Sequence, residues 1–192
     1  MAEHAPGPTY AAGLHADALR SLETWTAPDD EQEAWRTEYV AHLRRAPDGL
    51  AKACFPDHLT AGALVLDATG DRVLLNLHGK ARRWFAFGGH LEPEDATLAA
   101  AALREATEES GLVDLVLDPV PVHLSLHTVD FCNPRGPVRH LDVRFLARLG
   151  SSSTPVVSEE SLDVQWFDAD DLPTDEPDMV DLVRLARARL KG

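Results

Sequence analysis

The hydrophobic pattern changes period along the chain, and the changes divide it into elements. From His15 to Ala46 apolar residues recur at helical spacing. Leu19 and Leu22 share a turn, and Trp35, Tyr39 and Leu43 follow at four-residue steps after a cap at Asp29 or Asp30. Two helices are predicted there, as an N-terminal extension over residues 15–48 that serves as an accessory layer, a dimer surface or a substrate-selecting lid. Residues 1–14, with Pro6, Pro8 and two glycines and no apolar period, read as a flexible leader. Beyond residue 49 the period shortens. Leu64–Asp67 and Val73–Leu77 flank Ala68-Thr69-Gly70-Asp71, which predicts a hairpin. A short strand is expected at Trp84–Phe87, and an Ala-rich helix from about Leu98 to Ser110, closed by Gly111. Further strands are expected at Pro121–Asp130, Leu141–Leu149 and Val164–Phe167. An amphipathic helix at Asp178–Leu190 would turn Met179, Leu182, Val183, Leu185 and Ala186 inward. The order predicts an α/β (α+β sandwich) architecture in which a mixed sheet lies between helices.

Composition narrows the partners. The chain has 192 residues, with 18 Lys+Arg against 32 Asp+Glu and a net charge of −14. That balance disfavours nucleic acid polymers and anionic membrane surfaces, both of which are held through many basic contacts. A small anionic ligand is compatible with it where basic side chains converge. No run approaches the roughly 20 apolar residues of a spanning helix, and Met1–Ser21 lacks the basic start and apolar core of a signal peptide. The expectation is a cytoplasmic protein. Cys54 and Cys132 form no C-x-x-C pair, so they read as free thiols packed as small apolar groups.

Candidate chemistry concentrates in one segment, Gly88-Gly89-His90-Leu91-Glu92-Pro93-Glu94-Asp95-Ala96-Thr97, and the helix that follows it. At about 100° per residue, Glu105, Glu108 and Glu109 fall within an arc of roughly 100°, beside an apolar stripe of Ala99, Ala102, Leu103 and Ala106. Carboxylates at i, i+3 and i+4 repel one another, and near a helix C-terminus the dipole adds to the penalty. A cation should offset them, and a hard ion such as Mg²⁺ or Mn²⁺ prefers carboxylate and carbonyl oxygen. The two glycines allow backbone to approach a ligand, and Arg104 can hold a carboxylate in place.

These residues resemble the signature of the Nudix hydrolases, G-x5-E-x7-R-E-U-x-E-E-x-G-U with U a bulky apolar residue. Gly89 fits the first glycine, Arg104 and Glu105 the R-E pair, Glu108 and Glu109 the E-E pair, and Gly111 and Leu112 the closing pair. The box spans Gly89–Leu112, 24 of 192 residues. The likeness extends to the entering strand at Trp84–Gly89 and to Ser158-Glu159-Glu160 with Val164–Pro173. The box departs from the signature by one extra loop residue between Glu92 and Ala96, so that Glu94 or Asp95 takes the place of the first glutamate. Position 106 is Ala where a larger residue is usual, and Phe87 stands where proline often precedes the glycines.

The resemblance implies a Nudix domain over residues 49–192 and hydrolysis of a diphosphate linked to another group, X, by water attack on phosphorus. It implies that Glu105, Glu108 and Glu109, with the Gly89 carbonyl, hold Mg²⁺ or Mn²⁺, and that Arg104 orients a carboxylate. The general base would be Glu105 or Glu108 within the box, or Glu160 or Glu159 in a later loop. Lys80, Arg82, Arg83, His90, Asp142 and Arg144 are candidate substrate contacts, as are Arg135 and Arg139. Strand alternation puts His140, Asp142 and Arg144 on one face, either lining the cleft or solvated. His78, His90, His123 and His127 could recognise X or phosphate, and the preference of hard ions for oxygen argues against metal binding through them. The substrate would be a small diphosphate, and a homodimer formed through the leading helices is expected. Two other readings share the fold: a non-catalytic module that binds a nucleotide metabolite and regulates a partner, and an isoprenoid diphosphate isomerase with Cys54 as its catalytic cysteine.

Overall fold

A computed structural model describes residues 12–150, 155 and 161–191. Its helices are α1 (Ala12–Thr24), α2 (Asp30–Arg45), α3 (Leu98–Ser110) and α4 (Pro177–Lys191). Its strands are β1 (Asp57–Leu66), β2 (Arg72–His78), β3 (Trp84–Phe85), β4 (Phe87–His90), β5 (Leu115–Leu117), β6 (His123–Asn133), β7 (Gly136–Leu149) and β8 (Ser161–Asp168). The eight strands form one mixed sheet running β3-β2-β1-β7-β5, with β4 also paired to β1, β6 to β7 and β8 to β2. Only the central β1–β7 pairing is parallel among the described residues. β1 is buried along its whole length, as a strand covered on both faces must be.

Alternation along β1 assigns the two cores. Leu59, Ala61, Ala63 and Val65 face α1, α2 and α3, while Leu64 and Leu66 face Met179, Leu182, Val183 and Ala186 of α4. The expected sandwich is therefore present, and Leu185 packs at the margin of the α4 face rather than in its centre. The hairpin turns where expected, with Val65 opposite Leu74 and Gly70 at φ 78°. The single strand expected at Trp84–Phe87 is two. Trp84 and Phe85 pair with β2, and after Ala86 the chain changes partner, so that Gly89 lies opposite Ala61 of β1. β7 begins five residues before the expected start, because Asn133 and Gly136 close a hairpin from β6.

Ala12–Leu14 belong to α1 rather than to the leader, and Leu14 is fully buried in the core; residues 1–11 of the leader lie outside the described residues. The two helices share one core with α3 and the sheet. Asp29 caps α2 by accepting the Gln32 N–H at 2.9 Å. Gln32 in turn treats β6 as a neighbouring strand would: its Nε2 donates to the Leu124 carbonyl at 3.0 Å and its Oε1 accepts from the Leu124 N–H at 2.7 Å. Tyr39 donates to the Ser125 carbonyl at 2.5 Å. The edge of β6 is thereby covered. Among the described residues neither helix carries a fully exposed large apolar side chain, and Leu19 and Trp35 are partly buried against the core. No helix of the described chain is long and apolar enough to cross a membrane.

Candidate active site

The site begins with the way α3 is anchored. Thr97 caps it by accepting the Ala100 N–H at 3.0 Å, and Asp17 of α1 accepts the Leu98 N–H at 2.9 Å, placing a carboxylate where the helix dipole favours one. Gly111 ends it in the left-handed conformation, φ 68°. Leu98, Ala101, Ala102 and Ala106 are buried against the sheet. The opposite constraint follows from that packing: Glu105 and Glu109 are directed toward β4.

Two glycines make the approach possible. A Cβ on Gly88 would lie 2.8 Å from the Gly62 Cα, and one on Gly89 would lie 2.7 Å from the Glu105 Oε2. The Gly88 N–H donates to Glu109 Oε2 at 3.0 Å. Glu105 thus rests on Gly89 and Glu109 on Gly88, while the Glu108 side chain is 59% exposed.

Arg104 joins these parts. Its Nε and one Nη donate to the two oxygens of Asp95, each at 3.0 Å, and that Nη also donates to the His90 carbonyl at 3.0 Å. The other Nη reaches Glu105 at 2.9 Å and Glu108 at 3.1 Å. Hydrogen bonding by Asp95 raises the guanidinium pKa further above its ordinary value. Of the two acids considered for the missing glutamate, Asp95 is the one that holds the arginine. It is buried, and it also accepts the Glu92 N–H at 2.8 Å, whereas Glu94 is exposed. The extra loop residue lets a shorter acid reach the same guanidinium.

The remaining predicted residues distribute unevenly. Lys80, Arg82 and Arg83 are exposed on the turn between β2 and β3, and Arg83 pairs with Glu176. Asp142 and Arg144 share a face of β7, as alternation requires, but the face is neither solvated nor open. Arg144 donates to Asp142 at 2.7 Å and to Asp178 of α4 at 2.6 Å, and Thr60 donates to Asp142 at 3.0 Å. The start of α4 covers this network, so both side chains bond to protein. Arg139 grips Asp57 through two bonds at 2.8 and 2.7 Å and Glu38 at 2.9 Å, and Arg135 reaches the Ala53 carbonyl. Glu159 and Glu160 lie outside the described residues. Cys54 is buried, its Sγ 3.8 Å from an Asp48 carboxylate oxygen, and burial pushes the thiol up to about 11. That is the opposite of what a nucleophilic or acid–base cysteine near pH 7 requires.

One cluster was not expected. His58, His90, His140 and Cys132 converge beside β4, and burial pushes the His90 and His140 imidazoles down to about 3 and that of His58 below its ordinary value. His90, a candidate substrate contact, belongs to this group. Cys132 therefore does not pack as a small apolar group.

Comparison with protein families matches the NUDIX domain over residues 56–186. No curated protein matches the chain. Among solved structures, the fold resembles an Ap4A hydrolase of C. elegans in a binary complex, at a TM-score of 0.56 and 22% identity, covering 70% of this chain and 98% of that one. It also resembles the dihydroneopterin triphosphate pyrophosphohydrolase of E. coli (TM-score 0.55, 19% identity, 67% and 94% covered). A third likeness is to the NUDIX domain of Shewanella oneidensis NrtR complexed with ADP ribose (TM-score 0.50, 22% identity, 69% and 87% covered).

Proposed function

This chain belongs to the Nudix family, and from that premise we propose that it is a divalent-metal-dependent hydrolase that cleaves the phosphoanhydride of a nucleoside diphosphate linked to another group, or of a similar small diphosphate. The observation that carries the reading is the Arg104 hub, which holds Glu105 and Glu108 on one side and Asp95 and the His90 carbonyl on the other. Three carboxylates at such spacing are costly to a helix, and a regulatory binding module has no need of them.

The donor set fits a hard ion, since Glu105, Glu108, Glu109 and the Gly89 carbonyl offer only oxygen. Mg²⁺ or Mn²⁺ bound there would lower the pKa of water and neutralise phosphate charge. The chain's own residues supply position and proton transfer. Asp95 fixes the plane of Arg104, and Arg104 sets the directions of Glu105 and Glu108. Glu105, pressed on Gly89, belongs to the cation site. Glu108 is exposed while bonded to Arg104, which leaves it able to accept the proton of the attacking water as the new P–O bond forms and the anhydride P–O bond breaks. Lys80 and Arg82 are proposed phosphate contacts at the rim. The setting proposed is the cytoplasm.

The test is hydrolysis of nucleoside triphosphates, dinucleoside polyphosphates, ADP-ribose, NADH and sugar nucleotides, each with Mg²⁺, Mn²⁺ or EDTA, read as phosphate freed when pyrophosphatase is added to reveal released diphosphate or phosphatase to reveal monophosphate products. Turnover of one class that EDTA abolishes is the expected result. Tight binding of one compound with no turnover of any would favour the regulatory module instead.

A further inference from the structure

Across the sheet from α3, four side chains from four different strands meet: His58 on β1, His90 on β4, Cys132 on β6 and His140 on β7. Strand register brings them together. His58 lies opposite His140, and His90 lies opposite Thr60, two residues along the same face from His58. Cys132 lies within the irregularity between Val129 and Asn133, where the ladder of β6 with β7 is interrupted. The Cys132 Sγ is 3.3 Å from His90 Nε2, 3.4 Å from His140 Nε2 and 3.8 Å from His58 Nε2. All four ligand atoms lie within 4.8 Å of one another, and no other such group occurs among the described residues.

Hydrogen bonding alone does not account for this convergence. His58 Nδ1 is 3.2 Å from the Cys54 carbonyl, which can only accept, so in the neutral ring Nδ1 carries the hydrogen and Nε2 presents a lone pair to the sulfur. A thiol has one hydrogen to give, and three ring nitrogens face it. The contact from His58 Nδ1 to a carbonyl is also the outer-shell bond that orients metal-ligating histidines.

We propose that His58, His90, Cys132 and His140 form a tetrahedral site for a borderline-soft divalent cation of the zinc type, separate from the carboxylate site on α3. With bonds of about 2.3 Å to sulfur and 2.0–2.1 Å to nitrogen, tetrahedral geometry separates sulfur and nitrogen by about 3.6 Å, and the three observed separations straddle that value. One thiolate with three imidazoles is soft enough to prefer zinc over Mg²⁺ or Mn²⁺. Binding replaces the Cys132 S–H bond by a sulfur–metal bond and releases that proton to solvent. Four protein ligands close the coordination sphere, so the role is structural: the ion ties β1, β4, β6 and β7 together and holds the strand that carries Gly88 and Gly89. This inference does not depend on the hydrolase reading.

The test uses the full chain, stripped of metal with a chelator and titrated with Co²⁺ and then Zn²⁺. The expected result is one equivalent of Co²⁺ with intense tetrahedral ligand-field bands and a thiolate-to-metal charge-transfer band, both bleached by one equivalent of Zn²⁺, which also raises the melting temperature. Cys132→Ser should lose the charge-transfer band, while Cys54→Ser and the pair Glu105→Gln/Glu108→Gln should keep it. Absence of both bands in the wild-type protein would overturn the proposal without recourse to any variant. So would a charge-transfer band that survives in Cys132→Ser, or one that disappears in the Glu105/Glu108 pair.

Discussion

Replacing Asp95 by Asn tests whether the loop acid, rather than its neighbour, holds the hub. The substitution keeps the volume but removes the charge, and it turns one of two acceptors into an NH₂ facing the guanidinium. Of the two Arg104–Asp95 bonds at 3.0 Å, one is lost and the other loses its ionic character, while the bond from the Glu92 N–H is weakened. Hydrogen bonds to charged groups contribute about 1.5–3 kcal/mol each. Because Asp95 is buried and only 21% of the Arg104 side chain is exposed, little water is available to compensate, and the loss should be about 2–4 kcal/mol. For a chain of this size that corresponds to a fall in melting temperature of about 5–12 °C. Activity should fall further than stability. Arg104 would no longer hold Glu105 and Glu108 in one direction, and small misplacements of such groups cost about 10²-fold in rate. Circular dichroism melts and steady-state kinetics on D95N, with E94Q as control, read both effects. A D95N protein that melts with the wild type, or an E94Q protein that loses as much as D95N, would refute the assignment.

Glu108→Gln should lower kcat by at least about 10²-fold with an unaltered melt, since the side chain is exposed and its loss removes a principal charged group of the site. Gly89→Ala should reduce activity at least about tenfold with folding retained, because the added Cβ lands 2.7 Å from Glu105 Oε2 and displaces the carboxylate rather than the backbone; unchanged kinetics would contradict the packing described. Gln32→Ala should cost about 2–3 kcal/mol in urea unfolding, having stranded both buried polar groups of Leu124. The side-chain bonds from Arg139 hold Asp57 below the ordinary carboxylate range. A carboxyl with a lowered folded pKa contributes stability that is present above its ordinary value near 3.8 and lost as pH falls through the lower, folded value. Asp57→Asn should therefore be less stable than the wild type at pH 7, and the gap should narrow below about pH 4.

The parts of the site that lie close together in sequence were legible before the fold was known. Glu105, Glu108 and Glu109 share a face because a helix repeats every 3.6 residues, and Thr97 and Gly111 bound that helix through local capping chemistry. The choice between Glu94 and Asp95 was not legible, because it turns on which of two adjacent side chains faces inward. Asp142 and Arg144 alternate onto one face as a strand demands, yet their burial comes from α4, more than thirty residues away in the chain. β5 is not legible in the sequence because three residues offer too short a pattern. The His–Cys cluster shows the limit most clearly. Cys132 is 74 residues from His58 and 42 from His90, so the parallel register of β1 with β7, the antiparallel pairing of β4 with β1 and the bulge in β6 are all needed to bring the ligands together.

The central claim, water attack on phosphorus at a site organised by Glu105 and Glu108, is tested most directly by running the preferred substrate in ¹⁸O-labelled water with Mg²⁺ or Mn²⁺ and locating the label by mass spectrometry. The account predicts one ¹⁸O in a phosphoryl group of a product at each turnover, with the signal falling at least about 10²-fold in Glu108→Gln. Product formation without label on phosphorus, or full turnover in Glu108→Gln, would contradict it.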